Sequence, residues 1–241
     1  MLGQFDDETT LEILKEAVNS GADYLELGIP HSDPLADGLI LRETAELAIK
    51  EGMTPSKALA FCKLTTETLD VPVYVLTYLN TLFGYGVKQF INDAVSAGIQ
   101  GLIIPDLPLE AQEELKNEHD FGDLTLAAFT SPTSKQRLEQ IAKRSDGLIY
   151  SVNYAGITGS TENTSVDQRV IDNYKKLKSQ TNRKILSGFG IDSPQKAKEA
   201  SSYADGVIIG SKICKIAKEA GKEDAAKEIG KFIASIRDSI G

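Results

Sequence analysis

The chain has 241 residues, of which 25% are charged, and its formal net charge is −9. This length suits one α/β barrel or two small domains, and it is enough to bury a full core. The acidic balance disfavours nucleic-acid binding, because no basic stripe exists to neutralise phosphates. The longest apolar runs are about five residues, far short of the roughly 20 that a membrane helix needs.

Cys62 and Cys214 lack the spacing of metal ligands, which predicts thiols in a reducing compartment. The chain does not open on the basic and apolar regions of a signal peptide. We therefore expect a cytoplasmic protein whose partners include neither a membrane nor nucleic acid.

Short apolar, β-branched runs alternate with amphipathic stretches. The runs predict strands at Tyr24–Leu27, Val73–Thr77, Leu102–Ile104, Leu124–Phe129, Leu148–Val152, Lys184–Leu186 and Val207–Ile209. Their nearly continuous apolar character is typical of parallel strands that are covered on both faces. Helical periodicity predicts helices over residues 8–20, 87–97 and 224–239. No linker divides the chain, so we expect one barrel domain over residues 1–241.

The number of strands falls one short of a (β/α)₈ barrel, which needs eight. The chain opens with the loop-like segment Met1–Asp7, directly before the first helix. The first strand is therefore missing or reduced to a stub. We expect either an incomplete barrel or another element in the gap, unless Met1 is not the natural start. A G-x-G-x-x-G fingerprint, which would favour an open Rossmann sheet, is absent.

Glu26 is a carboxylate within an apolar strand, where burial is costly unless the group is paired or its pKa is shifted. Alternation along the strand places Tyr24, Glu26 and Gly28 on one face and two leucines on the other. The leucines suit the helix layer, so Glu26 should point to the barrel axis near the carboxyl end of the strand. Barrel enzymes carry out catalysis at that end. The alternative is a structural Glu paired with Lys or Arg.

The loop His31–Gly38 leaves the same strand end. Asp, Ser, Pro and Gly are ordinary turn residues. Asp33 and Asp37 could also suggest a divalent cation, although two carboxylates without further ligands are weak evidence. If the loop closes, Asp37 becomes a second carboxylate over the site, with a protonation state that can differ from that of Glu26.

Two glycine-containing loops follow the late strands. Gly190 lies in one, and Gly210 and Ser211 lie in the other, where the short helical stretch Lys212–Ile216 begins. Glycines allow close approach, helix N-terminal amides bind anions, and barrels commonly bind phosphate at these two loops. Together they predict a phosphate site, although each glycine alone could be a turn residue. The long polar loop at residues 155–166 could be a lid or an ordinary surface loop.

The segment Leu25–Gly38, which reads Leu-Glu-Leu-Gly-Ile-Pro-His-Ser-Asp-Pro-Leu-Ala-Asp-Gly, resembles the signature of the tryptophan synthase α subunit family. The resemblance continues to the C-terminus through motifs at residues 78–80, 105–108, 150, 156–159, 188–191 and 210–211. It implies a lyase of tryptophan biosynthesis that cleaves indole-3-glycerol phosphate to indole and glyceraldehyde 3-phosphate, with no metal or organic cofactor. It also implies an α₂β₂-type complex with a β subunit, which carries pyridoxal phosphate and receives the indole.

The same resemblance implies a role for each site residue. Glu26 matches the general acid–base group that protonates indole C3, and Asp37 matches the carboxylate that hydrogen-bonds the indole N–H. The positions that match the indole pocket are Leu76, Ile103, Phe129 and Tyr150. The positions that match the phosphate cradle are Gly159, Gly190, Gly210 and Ser211.

Three features depart from the family pattern. His31 stands where members usually have Phe, which alters loop packing or adds a titrating group, and Leu39 stands where they usually have Pro. Members also have a helix and a strand before the residue that matches Gly3. The expected fold is thus an α/β, TIM-type (β/α)₈ barrel with its N-terminal helix and first strand missing or truncated. The functional alternatives are another phosphate-binding barrel lyase or isomerase, and a non-catalytic α-like regulatory subunit.

Overall fold

Helices and parallel strands alternate along the chain in a computed structural model that describes residues 1–152, 168–188 and 190–241. The strands are β1 (Leu25–Gly28), β2 (Val73–Leu76), β3 (Gly101–Ile103), β4 (Thr125–Leu126), β5 (Ala128–Thr130), β6 (Ile149–Val152), β7 (Ile185–Gly188) and β8 (Gly206–Val207). The helices are α1 (Asp7–Asn19), α2 (Leu39–Lys50), α3 (Pro55–Thr68), α4 (Leu79–Tyr85), α5 (Val87–Ser96), α6 (Leu109–Glu118), α7 (Leu138–Arg144), α8 (Gln168–Lys178), α9 (Pro194–Ser201) and α10 (Ser211–Ile240). A 3₁₀ turn covers Ser134–Gln136.

The strands form two parallel sheets, in the orders β1-β2-β3-β4 and β5-β6-β7-β8. β4 and β5 are two parts of one run, divided at Ala127. The Ala127 N–H donates to the Leu102 carbonyl oxygen at 2.9 Å, and the Ala128 N–H donates to the Leu148 carbonyl oxygen at 3.1 Å. The two sheets therefore join through one bent strand, and the described barrel has the seven strand positions that the sequence predicts. The predicted strand bounds differ from these by one or two residues in most cases.

The barrel stays open between its first and last described strands. Within the described ranges, β1 pairs only with β2 and β8 only with β7. The Leu2 N–H donates to the Gly28 carbonyl oxygen at 2.9 Å, so the first residues reach only the carboxyl end of the gap. α1 and α10 pack together outside it, where a Cβ atom on Gly230 would lie 2.6 Å from Glu16. The expectation of an incomplete barrel is confirmed.

A cavity of about 440 Å³ remains in this opening, which we call the seam. Isoleucines of α10, together with residues of α1 and β8, line it. Glu26 also lies on its wall. The seam therefore exposes the backbone beside the predicted acid–base residue to a mostly apolar space.

Alternation along β1 places its side chains as the sequence predicts. Leu25 and Leu27 are buried in a cluster that contains Phe61 of α3 and Phe90 of α5, whereas Glu26 faces the interior of the barrel. A separate cluster fills the interior of the barrel; it comprises Tyr74, Ile103, Ala127, Leu148, Tyr150 and Leu186.

The predicted helices are confirmed, with local features that explain where they begin and break. The Asp6 side chain accepts a hydrogen bond from the Thr9 N–H at the start of α1, and Ser193 caps α9 in the same way. α10 begins at Ser211 and is interrupted at Gly221, whose φ of 71° is unsuited to an L side chain. Of the helices described, none is long and apolar enough to cross a membrane.

Candidate functional site

A cavity of about 510 Å³ lies at the carboxyl ends of the strands. It brings together most of the predicted site residues, namely Glu26, Asp37, Leu76, Phe129, Tyr150, Gly190, Gly210 and Ser211. Ile103 is not among its lining residues: it pairs in register with Leu76 on the neighbouring strand and lines the seam. Gly159 and the predicted lid at residues 155–166 lie outside the described residues.

Glu26 projects from the second position of β1 into the cavity, because the residues on either side of it face the helix layer. Its side chain is half-buried and borders both cavities. Burial raises the pKa of Glu26 to about 7, and the nearby charge of Asp37 contributes in the same direction. A carboxyl group with this pKa can give and take a proton near neutral pH.

Asp37 is 6% exposed, at the end of the loop that leaves β1. Burial raises the pKa of its carboxyl group, while a hydrogen bond from the Tyr78 hydroxyl lowers it. The carboxylate oxygen Oδ2 has no hydrogen-bond partner among the residues that the structure describes. Asp37 thus lines the cavity with a carboxylate that is anchored by Tyr78 and can accept a further hydrogen bond.

Tyr78 lies between β2 and α4, and it is 2% exposed. Its hydroxyl also accepts a hydrogen bond from the Ala36 N–H at 3.2 Å. The Leu79 N–H donates to Asp106 Oδ1 at 3.0 Å, which ties the start of α4 to the loop after β3. Tyr78 therefore holds two consecutive residues of the Asp37 loop from a fixed position on the barrel.

Tyr150 and Phe129 form the aromatic wall of the cavity. Their rings are stacked, with centroids 5.3 Å apart and an interplanar angle of 27°. Burial and the two nearby carboxylates raise the pKa of Tyr150 well above its usual value, so its hydroxyl stays protonated. Leu76 completes this wall. A flat aromatic ring system fits between such surfaces.

The part of the cavity next to the loops after β7 and β8 is formed by backbone, by cationic side chains and by Asp192, which is paired with Lys196. Gly190 has a φ of 83°, and Gly210 immediately precedes α10, whose first residue is Ser211. The amides in the first turn of a helix have no acceptor within the helix and favour anions. Lys212 and Lys215 also line this part of the cavity. This part is therefore suited to a phosphate group.

Several residues that shape the cavity were not predicted from the sequence. Tyr78 was noted only as part of a motif, as were Ala36, Pro105 and Ile191. Ile208 was noted only as part of a strand, and Lys212 and Lys215 only as part of a helical stretch. The others are Ile40, Leu41 and Asp192. Ile208 could have been found, because residues at the carboxyl ends of barrel strands line active sites. No pattern in the sequence around Tyr78 indicates that its side chain contacts Asp37.

Comparisons with known proteins agree with this geometry. The family model for the tryptophan synthase alpha chain matches residues 1–239. A tryptophan synthase alpha chain from Caldanaerobacter subterraneus subsp. tengcongensis is 36% identical over 240 residues, which cover 99% of this chain and 90% of that protein. One from Shouchella clausii is 39% identical over 238 residues, with coverages of 95% and 88%.

Solved structures give the same result. Tryptophan synthase subunit alpha from Legionella pneumophila str. Paris superimposes with a TM-score of 0.84 at 31% identity, and the match covers 97% of this chain and 87% of that one. A chain of the tryptophan synthase α₂β₂ complex from Pyrococcus furiosus gives 0.83 at 28% identity, with coverages of 98% and 94%. From the site, the near full-length family match and these relatives, we conclude that the chain belongs to the tryptophan synthase alpha chain family.

Proposed function

We propose that Glu26 and Asp37 cleave indole-3-glycerol phosphate to indole and glyceraldehyde 3-phosphate in this cavity. Members of this family are carbon–carbon lyases of tryptophan biosynthesis. The observation that carries the proposal is the pair of carboxyl groups in one cavity, with the pKa of Glu26 raised to about 7. Two carboxyl groups in different surroundings can act as an acid–base group and as a permanent anion.

Glu26 is the proton-transfer group in the proposed reaction. Its carboxylic acid protonates C3 of the indole ring, which turns the ring into a cationic indolenine. The carboxylate then takes the proton of the glycerol hydroxyl next to that carbon. As this O–H bond breaks, a C=O bond forms, and the electron pair of the C–C bond returns to the ring. Indole and the aldehyde result, and Glu26 is again protonated.

Asp37 stabilises the cationic ring. Its oxygen Oδ2, which lacks a partner in the described structure, accepts the indole N–H. The attraction is strongest when the ring carries positive charge, so Asp37 lowers the energy of the transition state more than that of the bound substrate. Leu76, Phe129 and Tyr150 hold the ring between them, and Ile103 lies beside Leu76 on the neighbouring strand.

The phosphate of the substrate occupies the part of the cavity next to the loops after β7 and β8. Gly190, Gly210 and Ser211 offer backbone amides there, and Lys212 and Lys215 offer positive charge. Gly159 joins this cradle in our proposal through its match to the family motif. The phosphate fixes the substrate so that indole C3 lies beside Glu26.

The proposal extends to a β-subunit partner in an α₂β₂-type complex, as in the Pyrococcus furiosus enzyme. Leu35 and Leu39, on either side of Asp37, are 71% and 69% exposed, and Phe83 of α4 is 58% exposed. α4 contacts the same loop, so a partner that covers these side chains would stabilise the loop conformation that holds Asp37 in the cavity. Turnover should therefore rise when saturating β subunit is added to the isolated chain.

We also propose that residues 1–241 act as one domain in the cytoplasm. Both cysteines are free thiols, which agrees with a reducing compartment. The two functional alternatives have less support. Another kind of barrel lyase or isomerase does not explain the family match, and a non-catalytic subunit does not explain why both carboxylates line one cavity.

The direct test is Glu26→Gln, which keeps the shape of the side chain and removes the acid. Loss of a positioned acid–base group costs about 10²–10⁴ in rate, so indole release should nearly vanish while the protein stays folded. Asp37→Asn should lower kcat more than it raises KM. Glu26→Gln retaining more than about a tenth of wild-type turnover, or Asp37→Asn raising KM alone, would reject these roles.

A further inference from the structure

His31 and Asp37 contact the same tyrosine from the two ends of one loop. The His31 ring is stacked on the Tyr78 ring, with centroids 5.2 Å apart and an interplanar angle of 22°. Tyr78 in turn donates its hydroxyl hydrogen bond to Asp37 and accepts one from Ala36. The loop thus closes around a buried ring that it contacts near its beginning and near its end.

His31 is itself fixed to the barrel. Its Nδ1 atom and the Thr81 hydroxyl form a hydrogen bond at 3.2 Å. The Thr81 N–H donates to the Tyr78 carbonyl oxygen at 2.9 Å, and the Thr81 side chain is buried. The imidazole is therefore held at its edge by Thr81 while its face covers Tyr78, which limits the positions open to the phenol ring.

We propose that His31 is a positioning residue, which keeps the Tyr78 hydroxyl aimed at Asp37 and thereby orients the Asp37 carboxylate in the cavity. The inference rests on the proposed role of Asp37 toward the indole N–H. His31 does not line the cavity. It therefore acts through Tyr78, and its effect appears in the step in which the ring becomes cationic.

A double-mutant cycle between His31 and Tyr78 tests whether His31 acts through Tyr78. We expect His31→Ala to lower kcat about fivefold, which is within what one neutral hydrogen bond can supply, with little change in KM. His31→Phe keeps an aromatic face over Tyr78 and should restore most of the loss. In a Tyr78→Phe background, His31→Ala should have almost no further effect on kcat, because the hydroxyl it positions is absent. His119→Ala, the same change at the other histidine, is the matched control.

Hydrogen exchange at the Ala36 amide gives a readout that needs no activity, since this N–H donates to the Tyr78 hydroxyl. We expect faster exchange in His31→Ala and Tyr78→Phe than in the wild type, and wild-type exchange in His119→Ala. An equal loss of kcat from His31→Ala in both backgrounds would overturn the proposal, as would unchanged exchange at Ala36. If the wild type releases no indole, the proposed function fails, but the exchange experiment still decides whether His31 holds Tyr78.

Discussion

Gly188, the last residue of β7, lies directly against the phenol ring of Tyr150. A Cβ atom at position 188 would be 2.6 Å from Cζ and 2.7 Å from Oη of Tyr150. Real side chains essentially never approach so closely, so only glycine lets the ring lie flat against this strand end and stack on Phe129. The aromatic wall of the cavity therefore depends on a residue with no side chain.

We expect Gly188→Ala to displace Tyr150 and to lower both stability and turnover. Overpacking of this kind costs about 1–3 kcal/mol, and the displaced ring would intrude on the space of the indole. Gly84→Ala is the matched control, because a Cβ atom there has nothing within 4 Å and Gly84 lies in a helix. Melting temperature and indole release should fall only in Gly188→Ala; equal behaviour of the two variants would contradict the packing argument.

Glu26 should make the stability of the protein fall as pH rises through the weakly acidic range. Its pKa is about 7 in the folded chain against 4.5 for the free side chain, so the folded state binds more protons between these values. The stabilisation that protonated Glu26 contributes is fully present below about pH 4.5 and is lost as pH rises through about 7. It amounts to about 3 kcal/mol at most.

Urea unfolding of the wild type and Glu26→Gln, across this pH range, measures the effect. The amide does not titrate, so the free energy of unfolding of the variant should depend less on pH, and the variant should be the more stable of the two above pH 7. The raised pKa of Asp37 also makes stability fall as pH rises, but this contribution is present in both proteins. Parallel pH profiles for the two proteins would show that Glu26 titrates normally.

Ser211→Asp should weaken phosphate binding. The substitution places a negative charge in the first turn of α10, beside Gly190 and Gly210, where we propose the substrate phosphate. Repulsion between charges a few ångströms apart should lower the affinity for glycerol 3-phosphate at least about tenfold. Ser56→Asp is the control, since it adds the same charge to the first turn of α3, away from the cavity. Unchanged affinity in Ser211→Asp would exclude this site.

An added strand in the seam should stabilise the barrel. Alternate residues of a parallel strand bond to opposite neighbours. The N–H groups of Leu25 and Ile29 bond toward β2, so the backbone of Glu26 faces the seam, whereas the Gly28 carbonyl oxygen accepts the Leu2 N–H. We expect a short apolar segment with alternating residues, fused ahead of Met1, to raise the melting temperature by several degrees and to increase indole production.

The control for this fusion is a segment of equal length made of Gly and Ser, which lacks the side chains to fill an apolar space. Slower amide exchange at Glu26 in the apolar fusion would report pairing of this edge. If the two fusions melt at the same temperature and exchange alike, the seam does not accept a strand.

Local sequence was enough to find β1, the inward direction of Glu26 and the two loops near the phosphate end. Alternation of side chains in a strand has a period of two residues, so the two leucines around Glu26 determine which face it takes. Glycines act within a few residues of themselves, which is why the start of α10 after Gly210 could be predicted. The open side of the described barrel could be inferred because each strand of this fold class leaves its own apolar run, and the sequence predicts seven.

Contacts between distant segments were decided only by the tertiary structure. Ala36 and Tyr78 are 42 residues apart, and no pattern in either segment indicates that the tyrosine hydroxyl holds the Asp37 loop. Ile103 pairs in register with Leu76, yet it lines the seam and Leu76 lines the site cavity, because the cavity that a side chain borders depends on packing across the whole barrel. Lys215 reaches the cavity for a similar reason: the direction of α10 is set by its packing on α1 and α9, which its own sequence does not encode.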